Sequence, residues 1–211
     1  LQKLPEFLAR FPALRKLEVD QCNFDQFPTV LWEMPHLEDL DLGFEDAHVP
    51  NPDFVAGIGK LNRLKHLQLW NYPFEGFPEA MLLPALESLE LSFSAKIKAI
   101  PPWFGKFSGL KRLSLNWSEA LTQLPSEIGE LKNLESLDLA YTAIAELPDT
   151  FSKLGSLQTL CLPRANFKDE AATLAIFKQL PHLQKIQCSG HPNSEFVNLL
   201  RINFPNIQIV Q

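Results

Sequence analysis

The sequence predicts an α/β solenoid with a parallel sheet on its concave side, a mostly non-helical convex side, and helices in its last two turns. Three observations carry this expectation. The L-x-x-L-x-L frame occurs eight times, with Val19 replacing the last leucine of the first copy and Ile186 and Cys188 replacing the last two of the eighth, in LRKLEVDQC (14–22), LEDLDLGFE (37–45), LKHLQLWNY (64–72), LESLELSFS (86–94), LKRLSLNWS (110–118), LESLDLAYT (134–142), LQTLCLPRA (157–165) and LQKIQCSGH (183–191). Successive copies begin 22 to 27 residues apart, a period that marks stacked repeats. The second half of several copies reads L-x-x-L-P-x-x-I/F-G-x-L, as in LTQLPSEIGEL (121–131).

Each element follows from this pattern. The L-x-L alternation has period two, so the leucines share one face of a short strand and the residues between them share the other. One such strand cannot bury its leucines alone, but stacked copies bury a continuous ladder and pair into a parallel sheet. Strands are expected near residues 17, 40, 67, 89, 113, 137, 160 and 186. The outer wall carries Pro28, Pro78, Pro101, Pro125 and Pro148, and proline removes a donor and fixes φ, so extended turns and 3₁₀ pieces are expected there. A short helix opened at Pro52 or Asp53 in NPDFVAGIGKL (51–61) is the one exception in the first six repeats. In the seventh repeat KDEAATLAIFKQL (168–180) lacks Gly and Pro and begins acidic, which predicts an α-helix. In the eighth, Asn193 or Ser194 can cap a helix over 193–204, with Phe196, Leu199, Leu200 and Ile202 as the buried stripe. This helix and the strand NIQIV (206–210) are expected to close the solenoid. LQKLP at residues 1–5 reads as the tail half of a repeat, so the whole of 1–211 is expected to be a single domain of a longer protein.

The motif and its period resemble the leucine-rich repeat family over essentially the whole chain. The L-x-x-L-P-x-x-I-G-x-L form resembles the cytosolic repeats of plant Ras-group-like and resistance proteins and of bacterial effectors. The resemblance implies a horseshoe that recognises a partner protein on its concave face and has no catalysis of its own. A second implication is a substrate-recognition domain of a larger enzyme, such as an effector ubiquitin ligase whose catalytic domain lies outside this chain. In the family the ninth motif position is often Asn; here it is Cys22, Glu45, Tyr72, Ser94, Ser118, Thr142, Ala165 and His191, so irregularity is expected around Glu45 and Tyr72.

Composition narrows the function. With 19 Lys+Arg against 25 Asp+Glu and a formal charge of −6, the chain lacks the basic surface that phosphate neutralisation demands, so no nucleic acid is expected. No apolar run is long enough to span a bilayer, so no membrane partner is expected either. Cys22, Cys161 and Cys188 have no paired spacing, which fits a reducing, cytoplasmic setting; the sequon Asn116-Trp117-Ser118 is the one extracellular signal. Gly57-x-Gly59-Lys60 occupies the ordinary repeat turn and lacks a following Ser or Thr, so it is not read as a phosphate loop. Cys188-x-x-His191 resembles half a metal site, yet both side chains are expected to face the core. Glu18, Asp20, Asp39 and Asp41 cluster on adjacent strands, but Lys16 and His66 border them and no loop wraps them, so a solvated or partner-facing acidic surface is expected in place of a calcium site. No metal or cofactor is expected.

The candidate site is a stripe. At position eight stand Gln21, Phe44, Asn71, Phe93, Trp117, Tyr141, Arg164 and Gly190, and Trp70 adds an aromatic at position seven. Beside it runs position five with Glu18, Asp41, Glu90 and Asp138. Phe44, Trp70, Phe93, Trp117, Tyr141 and Arg164 are expected to anchor a partner, because Trp, Tyr and Arg dominate binding hot spots. The four carboxylates guide its approach. The bland alternative is that the aromatics fold over the sheet edge and pack on the loops. The expected partner is a protein segment carrying basic and apolar residues, bound by a monomer. Cys161, lying between two inward leucines, is expected on the concave face, with Cys22 and Cys188 inward.

Overall fold

A computed structural model describes residues 3–22, 28–44, 57–72, 75–77, 79–188, 190–191 and 193–211, without the side chains of residues 20–22 and 80. Glu45, Pro52, Asp53, Pro78, most of the helix expected at 51–61, and the side chains of Asp20, Gln21 and Cys22 therefore lie outside the described residues. Among the described residues nine strands form one parallel sheet in sequence order. They are β1 (Lys16–Cys22), β2 (Asp39–Phe44), β3 (His66–Trp70), β4 (Ser88–Glu90), β5 (Arg112–Ser114), β6 (Ser136–Asp138), β7 (Thr159–Cys161), β8 (Lys185–Gln187) and β9 (Gln208–Val210). The order arises because each copy places its L-x-L directly beside that of the next. Leu40, Leu67, Leu89, Leu113, Leu137, Leu160, Ile186 and Ile209 pair as one row.

Inward leucines of positions four and six form the core: from β2 to β7 each is at most 3% exposed. Under the outer turns Phe104, Ile128 and Phe151 complete the packing, each 1% exposed or less. Those turns are 3₁₀ helices at Thr29–Glu33, Pro102–Lys106, Ser126–Glu130 and Asp149–Lys153. A proline stands before each one, and its carbonyl accepts the first i→i+3 bond, as in Ile128 N–H to Pro125 O at 3.1 Å. The proline fixes an extended entry and needs no donor of its own.

In the last two repeats α-helices occur where expected. Helix α1 (Glu170–Phe177) is capped by Asp169, whose carboxylate accepts from the Ala172 amide at 2.9 Å. Helix α2 (Ser194–Asn203) is capped by Asn193, which accepts from Glu195 and Phe196 amides at 2.9 and 3.1 Å. Its buried stripe is Phe196, Val197 and Leu200. Leu199 and Ile202, expected in that stripe, instead face solvent at 37% and 74% exposure. Leu200 lies four residues from Phe196 and three from Val197, on the face those two share, whereas Leu199 lies only two from Val197 and falls off it. Asn193→Ala should lower stability by about 1 kcal/mol, as loss of a cap does. A urea titration checks this, and an unchanged midpoint would mean that Phe196 packing alone sets the helix start.

Position nine is solved residue by residue. The Ser118 hydroxyl donates to Leu91 O at 3.3 Å and that of Thr142 to Leu139 O at 2.7 Å, so small hydroxyls replace the expected amide. Tyr72, too large for that role, is buried with its ring stacked on Phe77 at 5.1 Å and its hydroxyl donating to Gly76 O at 3.2 Å. Burial pushes its phenol pKa up. Gly57 and Lys60 also have structural duties. A Cβ on Gly57 would collide with the Trp32 indole, and the Lys60 ammonium lies 4.5 Å from the centre of that ring.

Candidate functional site

Strand register brings position five into one row across the concave wall: Glu18, Asp41, Gln68, Glu90, Ser114, Asp138, Cys161 and Gln187. These side chains alternate with the inward leucines and so face outward. At one end Lys16, Glu18, Asp39, Asp41, His66, Gln68, Ser88 and Glu90 line a recess of about 220 Å³. Lys16 occupies it, 2.5 Å from Glu18 and 4.0 Å from Asp39. Its hydrogen bond to Glu18, with Asp39 beside it, holds the Lys16 ammonium above its ordinary pKa.

Further along the row the carboxylates are held differently. Glu90 accepts from the Ser92 hydroxyl at 2.8 Å. Asp138 accepts from the Ala140 amide at 2.9 Å and from the Asn116 side-chain amide at 3.2 Å. Ser114 Oγ and Asn116 Oδ1 are buried nearby without a hydrogen-bond partner among the described residues.

Beside this row the backbone makes an unusual turn. From Asn71 to Tyr141, position eight has positive φ: 55° at Asn71, 59° at Phe93, 57° at Trp117 and 58° at Tyr141, with 80° at Gly190. In this conformation the position-eight amide donates to the position-seven carbonyl of the next repeat, as in Phe93 N–H to Asn116 O and Trp117 N–H to Ala140 O, both 3.0 Å. From the third to the sixth repeat the stack therefore holds position eight in the left-handed region, which Phe44 and Arg164 at the same position do not adopt. For a bulky side chain that costs on the order of 1–2 kcal/mol.

The turn throws the aromatic side chains outward, where they stack. Trp70 lies on Phe93 (5.5 Å between centroids, 14° between planes), Phe93 on Trp117 (5.4 Å, 10°), and Trp117 on Tyr141 (3.8 Å, 9°). Trp70, Phe93 and Trp117 remain 37%, 42% and 38% exposed. Stacked pairs contribute about 0.5–1.5 kcal/mol each beyond area burial, which roughly offsets the backbone strain. Tyr141 ends the stack against Gly190, where an added Cβ would come within 3.0 Å of its ring. Exposed Arg164 shares a shallow depression of about 240 Å³ with Tyr141 and Glu119.

Of the expected anchors, Trp70, Phe93, Trp117, Tyr141 and Arg164 therefore line one rim. Phe44 does not join them. It is buried at 9% exposure, because β2 runs straight through Phe44 and regular alternation turns position eight inward beside Leu40 and Leu42. In β3 the same alternation turns position seven outward, which is why Trp70 supplies the first ring. The aromatics stack on one another, an arrangement that neither outward presentation alone nor packing on the loops describes.

Two other expectations meet the structure here. At the sequon Asn116 is half-buried and donates to Asp138, and Ser118 is fully buried. Cys161 lies half-buried on the concave face, its thiol donating to Gln187 at 3.3 Å, while Cys188 is 3% exposed. Burial and the neighbouring Asp138 push the Cys161 thiol up to about 12, and burial pushes Cys188 to about 11. Both should react slowly, and access should decide the order. Alkylation with mass mapping is expected to label Cys161 before Cys188, and equal rates in the folded protein would contradict the strand register. His191 is partly buried between Phe167 and Phe196, its Nδ1 accepting from the Asn193 amide at 3.3 Å. Burial holds its pKa low.

Sequence reasoning missed a charge ladder at position two. Glu38 lies 2.7 Å from Lys65 and 3.7 Å from Arg15, and Glu87 lies 2.7 Å from Lys111. The alternating signs at that position were its signal. As exposed pairs they are screened by solvent and add little to stability.

Comparison with known proteins agrees with the repeat reading. Residues 103–202 match the family model described as a leucine-rich repeat region. An adenylate cyclase of Schizosaccharomyces pombe is 26% identical over 203 residues, covering 83% of this chain and 12% of the cyclase. The TMV resistance protein N of Nicotiana glutinosa is 31% identical over 164 residues, covering 73% of this chain and 14% of that protein. The chain thus spans a small part of either curated relative. A solved leucine-rich repeat protein of Leptospira interrogans superposes with a TM-score of 0.63 at 22% identity, covering 100% of this chain and 52% of that one, and shares the fold. Among the described residues no helix is long and apolar enough to cross a membrane.

Proposed function

Because the chain is a leucine-rich repeat protein, we propose that it recognises a partner protein through its concave row and the aromatic rim beside it, without catalysis of its own. Leucine-rich repeat domains generally act as protein–protein interaction modules, and function has to be argued from the site. The observation that carries the reading is the stack of Trp70, Phe93, Trp117 and Tyr141, of which the first three are exposed and the last three sit in a strained backbone conformation. A left-handed turn is relaxed for Asn or Gly, so large apolar rings held there and left exposed point to use. Glu18, Asp41, Glu90 and Asp138 favour a partner with basic residues. The free thiols of Cys161 and Cys188 support a reducing, cytoplasmic setting.

The small share of each relative that the chain covers supports a second reading, in which this domain selects targets for an activity elsewhere in a longer polypeptide. Both readings place the contact on the same surface. A photo-cross-linking residue at position 93 should capture the partner, whereas one at position 103, on the convex turn, should not. Capture from position 103 alone would move recognition to the other wall.

A further inference from the structure

We infer that the occupant of this surface is an extended polypeptide segment laid across strands β3 to β6, with apolar side chains on the ring edges and a basic side chain over Glu90 and Asp138. The inference rests on the recognition reading and adds the shape and chemistry of what is bound.

The stack itself sets the shape. Ring planes within 14° of parallel at centroid steps of 5.5, 5.4 and 3.8 Å leave no space for an inserted group, which needs about 3.5 Å of contact distance on each face. Ring faces inside the stack are used up, so planar ligands that recognise faces, such as nucleobases or sugar rings, find none between the rings. What remains is a rail of ring edges running across the strands. An extended chain advances about 3.3 Å per residue, so roughly five residues cover the rail, and its side chains alternate between two sides. One set meets the rail and the other reaches the position-five row.

Charge sets the chemistry. Ring edges carry the positive end of the aromatic quadrupole, so they suit aliphatic groups and do not attract cations. A basic side chain belongs over the carboxylates, and these differ in readiness. The Glu18 and Asp39 corner already holds the protein's own cation, Lys16. Glu90 and Asp138 form no ion pair among the described residues, and both are fixed by neutral donors, Ser92 for the first and Asn116 with the Ala140 amide for the second. They stand on either side of Ser114 in the same row, beside Phe93 and Trp117. Preorganised, unneutralised acceptors are the ones that reward a bound cation.

The test uses the folded 211-residue chain against an array of random synthetic nine-residue peptides. The enriched sequences should carry Arg or Lys between aliphatic residues, and the best of them should lose binding when its basic residue is replaced by Gln. E90Q with D138N should weaken that peptide at least tenfold, E90Q alone severalfold, and E18Q with D39N less than twofold, at unchanged thermal midpoints. Enrichment of acidic or purely aromatic peptides, or no enriched motif, overturns the inference. So does a loss confined to E18Q with D39N, which moves the cation to the corner while leaving concave recognition intact. Binding unaffected by these carboxylates and by F93A with W117A would overturn the recognition reading itself.

Discussion

Replacing Phe93, Trp117 and Tyr141 together by alanine is expected to abolish partner binding and leave the solenoid folded. The rings lie outside the leucine ladder, since Leu89, Leu91, Leu113, Leu115, Leu137 and Leu139 are at most 2% exposed and make no use of the stack for their burial. Alanine removes the stacking but keeps the left-handed turn, so a stability loss of a few kcal/mol at most is expected, below that of a core deletion. Binding should suffer far more, by on the order of 2 kcal/mol for each true hot spot. Circular dichroism and a binding titration on the same preparation separate the two effects. Unchanged affinity would assign the rings to structure alone, and collapse of the fold would show that the rim is part of the core.

Leu137→Ala should do the reverse, destabilising the fold by about 2–5 kcal/mol. Leu137 is fully buried at the centre of the stack, paired with Leu113 on one side and Leu160 on the other. In a solenoid each repeat is supported mainly by its neighbours, so the cavity weakens two interfaces at once and should divide the unfolding transition between the halves. Chemical denaturation followed by hydrogen exchange is the check. A shift below about 1 kcal/mol with uniform protection would contradict the one-dimensional packing.

The sheet was legible because its cause is local: every L-x-x-L-x-L copy carries its own strand and its own inward face. Both helices were equally plain, since 168–180 lacks the proline that shortens the other outer turns. Less legible was the phase of helix α2, where Leu199 and Leu200 are equally apolar and it is Val197, buried beside Phe196 and three residues before Leu200, that separates them. The column at position eight was visible, but its backbone was not. Asn71 and Gly190, the two residues in that column most at ease at positive φ, carried the signal, and among the three aromatics between them it was masked by their side-chain chemistry. For the same reason Phe44 looked equivalent to Phe93, although a strand that continues through position eight turns its side chain the opposite way. Which rings would touch one another depends on inter-repeat spacing, a property of the assembled stack.

The central claim is that partner contact falls on the rim formed by Trp70 and Trp117. Tryptophan supplies its own reporters, because the chain contains four, Trp32, Trp70, Trp103 and Trp117, and only Trp70 and Trp117 belong to the stack. Labelling with 5-fluorotryptophan gives a resonance for each by fluorine NMR. On adding the captured partner or the selected peptide, the Trp70 and Trp117 signals should shift and lose their solvent isotope effect while those of Trp32 and Trp103 stay in place. Movement of Trp103 with Trp70 and Trp117 unchanged would contradict the account.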